Sequence, residues 1–218
     1  MTGCATGIGR SSPAESSLTS PRIFLLSPAH CGGKRARILL SERATFPLAQ
    51  RLRSAGISLG EAFSFLSGLY FRGKLTYAGR FARPPEGLPG VQVITTDRGL
   101  LPVETAVGAR ELREFGTVDI RADAPAYRAP LERDLASLRQ TPDLEVVLLG
   151  SVATGKYVDV LVEVLGDRLL FPVDFVGRGD MSRGGLLLRA AEAGKELSYG
   201  PVAGAVRRGR RPPRLAPR

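Results

Sequence analysis

The stretch LEVVLLGSVATGKY, from Leu144 to Tyr157, decides the fold predicted for this chain. It begins with an uninterrupted apolar run, Val146 to Leu149, as in strands that are buried on both faces of a parallel sheet. A turn of small residues follows, and Lys156 opens an apolar pattern of helical spacing that reaches Leu165. The stretch therefore predicts a buried strand, a tight turn and a helix, whose unpaired N–H groups favour an anion.

Three further strands are predicted from apolar runs on either side of this stretch: Ile23–Leu26, Val91–Thr95 and Arg168–Val173. Pro172 has no N–H to donate, so the last strand either lies at a sheet edge or ends at this proline. Segments whose apolar residues recur at helical spacing lie between the strands. Two of them, Leu59–Leu69 and Tyr70–Phe81, are predicted to form one long helix or two consecutive ones. Alternating strands and helices predict an α/β fold, three-layer α/β/α, with a mostly parallel sheet of four to five strands.

The composition is that of a globular chain with a basic end. Of the 218 residues, 43% are hydrophobic and 24% are charged, close to globular averages. The formal net charge is +10, but the last twelve residues hold six arginines, and positions 22–206 hold 24 basic against 20 acidic residues. We predict a single α/β domain at 22–199, between a disordered tail at 1–21 and a disordered Pro/Arg-rich tail at 200–218.

No feature of the sequence indicates secretion or a membrane partner. Of the two cysteines, Cys4 lies in a predicted tail, so that it and Cys31 suggest no disulfide framework. No apolar run approaches the roughly 18 residues that span a bilayer, and the N-terminus lacks a basic region followed by an apolar one. These observations predict a cytoplasmic protein.

Four loops follow the predicted strands: Ser27–Arg35, Thr96–Pro102, Gly150–Lys156 and Asp174–Gly185. Ligands of open α/β sheets bind at this carboxyl edge, and glycines allow the backbone to approach them closely. The alternative is that these loops are merely polar, as most loops are. We predict a site for a phosphate or a base, with the ligand-binding residues Gly32, Gly33, Lys34, Arg35, Arg98, Gly150, Ser151, Gly155, Lys156, Arg178 and Asp180.

The segment GSVATGK, Gly150 to Lys156, fits the G-x-x-x-x-G-K pattern of a P-loop between a strand and a helix. Tyr157 stands where a serine or threonine hydroxyl would ligate magnesium, and a phenol is too long and rigid for that place. Three alternatives follow: a degenerate P-loop, a simpler anion nest at the helix start, and a tight turn that binds nothing. Of the two alternatives that bind a ligand, the anion nest is favoured over the degenerate P-loop.

Three residues are candidates for catalysis. Asp174 ends a strand and is the best candidate for a general base. His30 and Cys31 are adjacent in the first loop, where a positive charge could stabilise a thiolate, although such a cysteine is more often a buried apolar residue. No second histidine and no C-x-x-C pair completes a zinc site. We therefore predict no metal and no cofactor.

Three segments carry a resemblance to a known family. They are SPAHCGGKR (27–35), then GLYFRGKLTYAGRFA (68–82) with VQVITTDRGLLPVE (91–104), and LEVVLLGSVATGKYVDVLVEVLGDRLLFPVDFVGRGD (144–180). In this order they resemble a group of uncharacterised bacterial and phage proteins, which are similar to the uracil-DNA-glycosylase-like domain of archaeosine synthase, a tRNA base-modifying enzyme. The first loop departs from the family, with HCGGK at 30–34 instead of a Cys–Ser–Lys-like run, and the water-activating and histidine motifs of active uracil-DNA glycosylases are absent.

The resemblance implies a three-layer α/β/α domain that acts on a nucleobase, a nucleotide or a nucleic acid, glycosylase-like or related to base modification. Lys34, Arg35 and Lys156 would hold phosphate, and Arg98 or Arg178 would recognise a base, because arginine suits planar, bidentate contacts. One alternative is a non-catalytic nucleic-acid binder that uses the basic tail. Another is a nucleotide hydrolase with a degenerate P-loop.

Overall fold

A computed structural model of the protein describes residues 20–118, 120–121, 123–153, 155–213 and 215. Positions 1–19 of the predicted disordered tail at 1–21 lie outside the described residues. The strands are β1 (Arg22–Leu26), β2 (Ile57–Ser58), β3 (Val91–Ile94), β4 (Leu100–Pro102), β5 (Ala106–Val107), β6 (Glu145–Leu149), β7 (Leu169–Pro172) and β8 (Tyr199–Pro201). The helices are α1 (Lys34–Leu39), α2 (Pro47–Ser54), α3 (Leu59–Ser67), α4 (Leu69–Phe81), α5 (Ala109–Phe115), α6 (Pro125–Gln140), α7 (Gly155–Leu165) and α8 (Asp180–Glu192). Among them, none has both the length and the apolar composition needed to cross a bilayer.

The main sheet confirms the prediction of a mixed α/β fold with a mostly parallel sheet. Its strand order is β4-β3-β1-β6-β7-β8, in which the four central strands are parallel and the two outer ones antiparallel to their neighbours. In the register of the two central strands, Phe24 lies beside Val147. Both side chains are completely buried, as expected for strands covered on both faces.

The sheet has six strands in the described residues, where the sequence predicted four to five. The two additional strands, β4 and β8, are three residues long and too short to form an apolar run. β4 lies inside the segment predicted as the loop Thr96–Pro102. Pro172 is the last residue of β7, which pairs with a strand on each side, so the second interpretation of this proline is correct.

Glycines explain where two helices differ from the expected pattern. Gly68, with φ of 64°, lies between α3 and α4 and separates the predicted stretch Leu59–Phe81 into two helices. α8 begins at Asp180, although the sequence predicted a loop as far as Gly185. Two adjacent glycines, Gly184 and Gly185, conceal this helix, because glycine is a poor helix former.

Helices α4 and α8 form the most extensive helix contact, and α4 also packs on β1 and β3. α6 packs against α7, which in turn contacts β7. The chain beyond β8 also packs on the fold: Val202 is completely buried, and Arg207 makes an ion pair with Asp159 of α7 at 2.9 Å.

An arginine network closes the end of the sheet at which the parallel strands begin. Arg22, the first residue of β1, donates to Glu145 at the start of β6 at 2.5 and 2.7 Å and to Glu196 at 2.6 Å. Its guanidinium also lies over the Tyr199 ring, 4.8 Å from the centroid. These contacts join the starts of β1 and β6 to the segment between α8 and β8.

Candidate functional site

A cleft of about 550 Å³ lies at the carboxyl ends of β1 and β6. Its walls come from the loop after β1, the turn after β6, and the facing parts of α3, α4, α7 and α8. The residues that line it are Ser27, Pro28, Ala29, His30, Leu66, Ser67, Tyr70, Lys74, Ile120, Ser151, Lys156, Tyr157 and Asp180. This is the sheet edge at which the sequence predicted a ligand site.

Lys74 is the most unusual group of the cleft, because its side chain is only 1% exposed. Its Nζ donates to the carbonyl oxygen of Ser27 at 2.6 Å and to the Ser27 hydroxyl at 3.0 Å. The same nitrogen lies 4.7 Å from the ring centroids of Tyr70 and Phe71. Burial lowers the pKa of Lys74 to about 7, although the negative charge of Asp180 acts in the opposite direction.

Two buried phenols lie beside this amine. The Tyr70 hydroxyl is buried and has no hydrogen-bond partner of good geometry in the described part of the chain. Burial raises the pKa of Tyr70, and the positive charge of Arg183 opposes that shift. The Tyr157 hydroxyl donates to the Ser151 carbonyl oxygen at 3.0 Å, and burial raises its pKa as well.

The turn after β6 is shaped around Tyr157. A Cβ at Gly150 would lie 2.7 Å from the Tyr157 hydroxyl oxygen and 2.9 Å from the Ser27 Cβ, so the turn needs a glycine here. The phenol reaches back across the turn to Ser151, and this contact is the structural role of the residue that interrupts the P-loop pattern. Its hydroxyl therefore serves the turn and the cleft wall.

The start of α7 already carries a carboxylate. A Cβ at Gly155 would collide with the Asp159 carboxylate, which lies against the first turn of the helix and pairs with Arg207. Lys156, one residue further, is exposed and lines the cleft. The positive charge offered to a ligand here is therefore the Lys156 side chain, since Asp159 offsets the field of the helix terminus.

The α8 wall is held by a buried arginine. Arg183 is 7% exposed and donates to the Phe175 carbonyl oxygen at 3.2 and 3.3 Å. It also pairs with Asp180 at 3.4 Å, and its guanidinium lies over the Phe175 ring at 5.5 Å. These contacts fix the first turn of α8, which places Asp180 at the cleft.

The structure brings four predicted site residues together in the cleft: His30, Ser151, Lys156 and Asp180. Gly150 lies directly behind them, against the Ser27 and Tyr157 side chains. Gly32 and Gly33 pack on the His30 ring, where a Cβ at either position would lie 3.2 Å from a ring carbon. His30 itself is exposed at the rim.

The remaining cations lie elsewhere. Lys34 lines a separate groove beside α1, and Arg35 donates to the Phe65 carbonyl oxygen at 3.2 Å. Arg98 is paired with Glu114 and lies over the Phe115 ring. Arg178 donates to the carbonyl oxygens of Asp174 at 3.0 Å and Pro213 at 3.4 Å. The loop Thr96–Pro102 contributes no lining residue, so three of the four predicted loops border the cleft.

The two other catalytic candidates do not line the cleft. Asp174 is exposed in a short 3-10 turn after β7. Cys31 is buried, and burial raises the pKa of its thiol to about 12. The thiol faces the Ala29 carbonyl oxygen at 3.6 Å, which suits a buried apolar residue better than a nucleophile. In the residues that the structure describes, no cluster of His, Cys, Asp and Glu side chains could hold a metal ion.

Sequence reasoning missed Lys74, Tyr70 and Ser27 as parts of the site. The available signal was a lysine in the apolar stripe of α4, since Lys74 follows Tyr70 by four residues and precedes Ala78 by four. A lysine at such a position must bury its amine or reach the surface, and here the amine is buried.

Comparison with known proteins adds no further constraint. No protein-family model matches the chain, and no curated protein or solved structure is significantly similar to it. The functional inference therefore depends on the cleft itself.

Proposed function

We propose that the cleft binds a phosphate-bearing nucleobase compound, a nucleotide or a unit of a nucleic acid, on which the domain acts. The observation that carries this proposal is the placement of exposed Lys156 and His30 at the rim of a cleft whose floor holds Lys74 and Tyr70. A phosphate suits the exposed Lys156 ammonium group, and a planar ring suits an aromatic wall that also offers hydrogen-bonding groups.

We also propose that the chain is related to the uracil-DNA-glycosylase-like domain and that its helices and sheet form three layers, α/β/α. Parallel crossovers are right-handed, so the helices between β1 and β3 would cover one face of the sheet. The helices that follow β3 and β6 run in the opposite direction along the sheet and would cover the other face. Because the water-activating and histidine motifs of active glycosylases are absent, we favour base modification or recognition over base excision.

Replacing Lys156 with alanine should weaken binding of the ligand about tenfold, because one charge-assisted contact of roughly 1.4 kcal/mol is lost. Binding is measured by calorimetric titration with the four ribonucleoside monophosphates and with short RNA and DNA. Lys34→Ala is the matched control, since Lys34 is also an exposed lysine and lines a different groove. Equal effects of the two substitutions would indicate a general charge effect and would contradict a site at the cleft.

Nucleic-acid binding through the basic C-terminal end is a second candidate function. Arg208, Arg210 and Arg211 are exposed, which favours contact with a polyanion. The backbone around them packs beside the loop before α8: a Cβ at Gly177 would collide with the Arg210 carbonyl oxygen. The three side chains could therefore bind phosphates close to the loop that leads into the cleft.

Replacing these three arginines together with glutamine should lower the salt dependence of RNA or DNA binding. The slope of log K against log salt should fall by up to about 3, because each phosphate contact contributes roughly 0.9. The measurement is a titration at several salt concentrations. The charge-matched control replaces three exposed arginines outside this segment: Arg37, Arg43 and Arg80. An unchanged slope in the C-terminal variant would remove this candidate.

A further inference from the structure

The geometry around the Lys74 amine matches the neutral form of that group. A neutral amine has two N–H groups and one lone pair. Nζ has two acceptors, the carbonyl oxygen and the hydroxyl of Ser27, at 2.6 and 3.0 Å. In the described part of the chain these are its only hydrogen bonds, and a neutral amine makes both with its two N–H groups and keeps its lone pair free.

The surroundings of Nζ act on its charge in both directions. The rings of Tyr70 and Phe71 at 4.7 Å and the carboxylate of Asp180 favour the ammonium form. Burial is the larger influence and brings the pKa down to about 7. About half of the Lys74 amines are therefore neutral near pH 7, whereas an exposed lysine with a pKa of about 10.4 is almost wholly protonated.

Two hydroxyl groups near the amine could relay protons. The Ser27 hydroxyl is in direct contact with Nζ at 3.0 Å. Tyr70 is 5% exposed and lines the same cleft. Its hydroxyl makes no hydrogen bond of good geometry with the described residues, although the Arg183 guanidinium lies near enough to oppose its pKa shift. Tyr70 lies one helical turn before Lys74, so both side chains lie on the same face of α4. A buried hydroxyl without a partner is costly unless a ligand satisfies it.

We propose that Lys74 forms an imine with the carbonyl carbon of an aldehyde or ketone that is part of the ligand. The Nζ lone pair attacks this carbon, the C–N bond forms, and the carbonyl π electrons pass to the oxygen, which is protonated. Nζ loses one proton, which balances the proton gained by the oxygen and gives a carbinolamine. The hydroxyl group of the carbinolamine leaves as water with the second Nζ proton, and the nitrogen lone pair forms the C=N bond. One water molecule is released, and no oxidant or reductant is needed. The inference rests on the proposed function only in taking the carbonyl compound to carry a phosphate that contacts Lys156.

The test is imine trapping on the full chain at pH 7. The protein is incubated with glycolaldehyde or glycolaldehyde phosphate and with cyanoborohydride, which reduces imines to stable amines, and the labelled peptides are mapped by mass spectrometry. The chain has four lysines, Lys34, Lys74, Lys156 and Lys195, so the other three serve as internal controls. We expect Lys74 to be labelled at least about tenfold faster than the others. We also expect glycolaldehyde phosphate to label Lys74 at about tenfold lower concentration than glycolaldehyde does.

Labelling that is spread over the exposed lysines, or that spares Lys74, overturns the inference. Lys74→Met, which has a side chain of similar length, should lose the label; if this variant does not fold, the peptide map of the wild-type chain still decides. If glycolaldehyde labels Lys74 while Lys156→Ala leaves nucleotide affinity unchanged, the imine is supported and the proposed nucleotide site fails. If Lys156→Ala weakens nucleotide binding and Lys74 is not labelled, the imine alone is rejected.

Discussion

Replacing Gly73 with alanine should destabilise the protein by about 1–3 kcal/mol, although alanine is the better helix former by up to about 1 kcal/mol. A Cβ at Gly73 would lie 2.7 Å from the Gly184 carbonyl oxygen and 3.0 Å from the Gly184 Cα. Gly184 is equally constrained, since its Cβ would lie 2.9 Å from the Leu69 carbonyl oxygen. Both obstacles are backbone atoms, so a side chain cannot turn away and the two helices must separate.

The measurement is urea unfolding, with thermal unfolding as a second observable. Gly79→Ala is the control, because Gly79 lies on the same helix and its Cβ would meet nothing within 4 Å. The control should be as stable as the wild type or more stable, whereas Gly73→Ala should melt several degrees lower, at about 2–4 °C per kcal/mol for a chain of this size. Equal stability of the two variants would show that α4 and α8 are further apart than in the structure.

The crossing of α4 and α8 also explains how the cleft is built. Gly73 directly precedes Lys74, and Gly184 directly follows Arg183, so the point of closest approach lies beside two buried basic side chains. A wider crossing would move Asp180 away from the amine and open a path for water. We therefore expect Gly73→Ala to reduce the trapping of Lys74 as well as the stability.

The central fold follows from local sequence features, because the apolar runs of the four parallel strands are long enough to be recognised. β4 and β8 could not be found in this way, since each has only three residues. β4 pairs with β3 in a tight hairpin, whereas β8 pairs with β7 across the whole of α8. α8 was concealed because Gly184 and Gly185 lower its helix propensity. The reason for Gly184 lies in the Leu69 and Tyr70 backbone more than a hundred residues away.

The residues of the candidate site likewise fall into two groups: those that local sequence predicts and those that only the packing of the fold brings to the cleft. His30, Ser151 and Lys156 follow strands, and the rule that ligands bind at the carboxyl edge is sufficient to propose them. Arg98 follows a strand too, but the next strand is antiparallel, and the chain turns back through the bond from the Thr95 amide to the Gly99 carbonyl oxygen. Lys74 comes from the middle of a helix, so only the packing of α4 on β1 places it beside Ser27.

The free energy of unfolding of the wild type should rise with pH between about 7 and 10, relative to Lys74→Met. The pKa of Lys74 is about 7 in the folded protein and returns towards its ordinary value of 10.5 on unfolding. Between these values the unfolded chain binds a proton that the folded chain does not, so raising the pH favours folding by roughly 1 kcal/mol per pH unit. Below pH 7 the Lys74 amine is protonated in both the folded and the unfolded chain. Burial of the charged amine then lowers the free energy of unfolding by its full amount, which no longer changes with pH.

The measurement is urea unfolding of both proteins at pH 7, 8 and 9, with Lys195→Met as the control for an exposed lysine. Asp180 and Tyr70, which act on the amine, and Arg183 and Tyr157, which act on Tyr70, remain in every variant, so their contributions largely cancel in the difference. The difference in free energy of unfolding between the wild type and Lys195→Met should not change from pH 7 to pH 9. Parallel profiles for the wild type and Lys74→Met would mean that the amine has the same pKa in both states. A folded-state pKa near 10 would leave Lys74 protonated at pH 7, and it could then not form an imine faster than the exposed lysines.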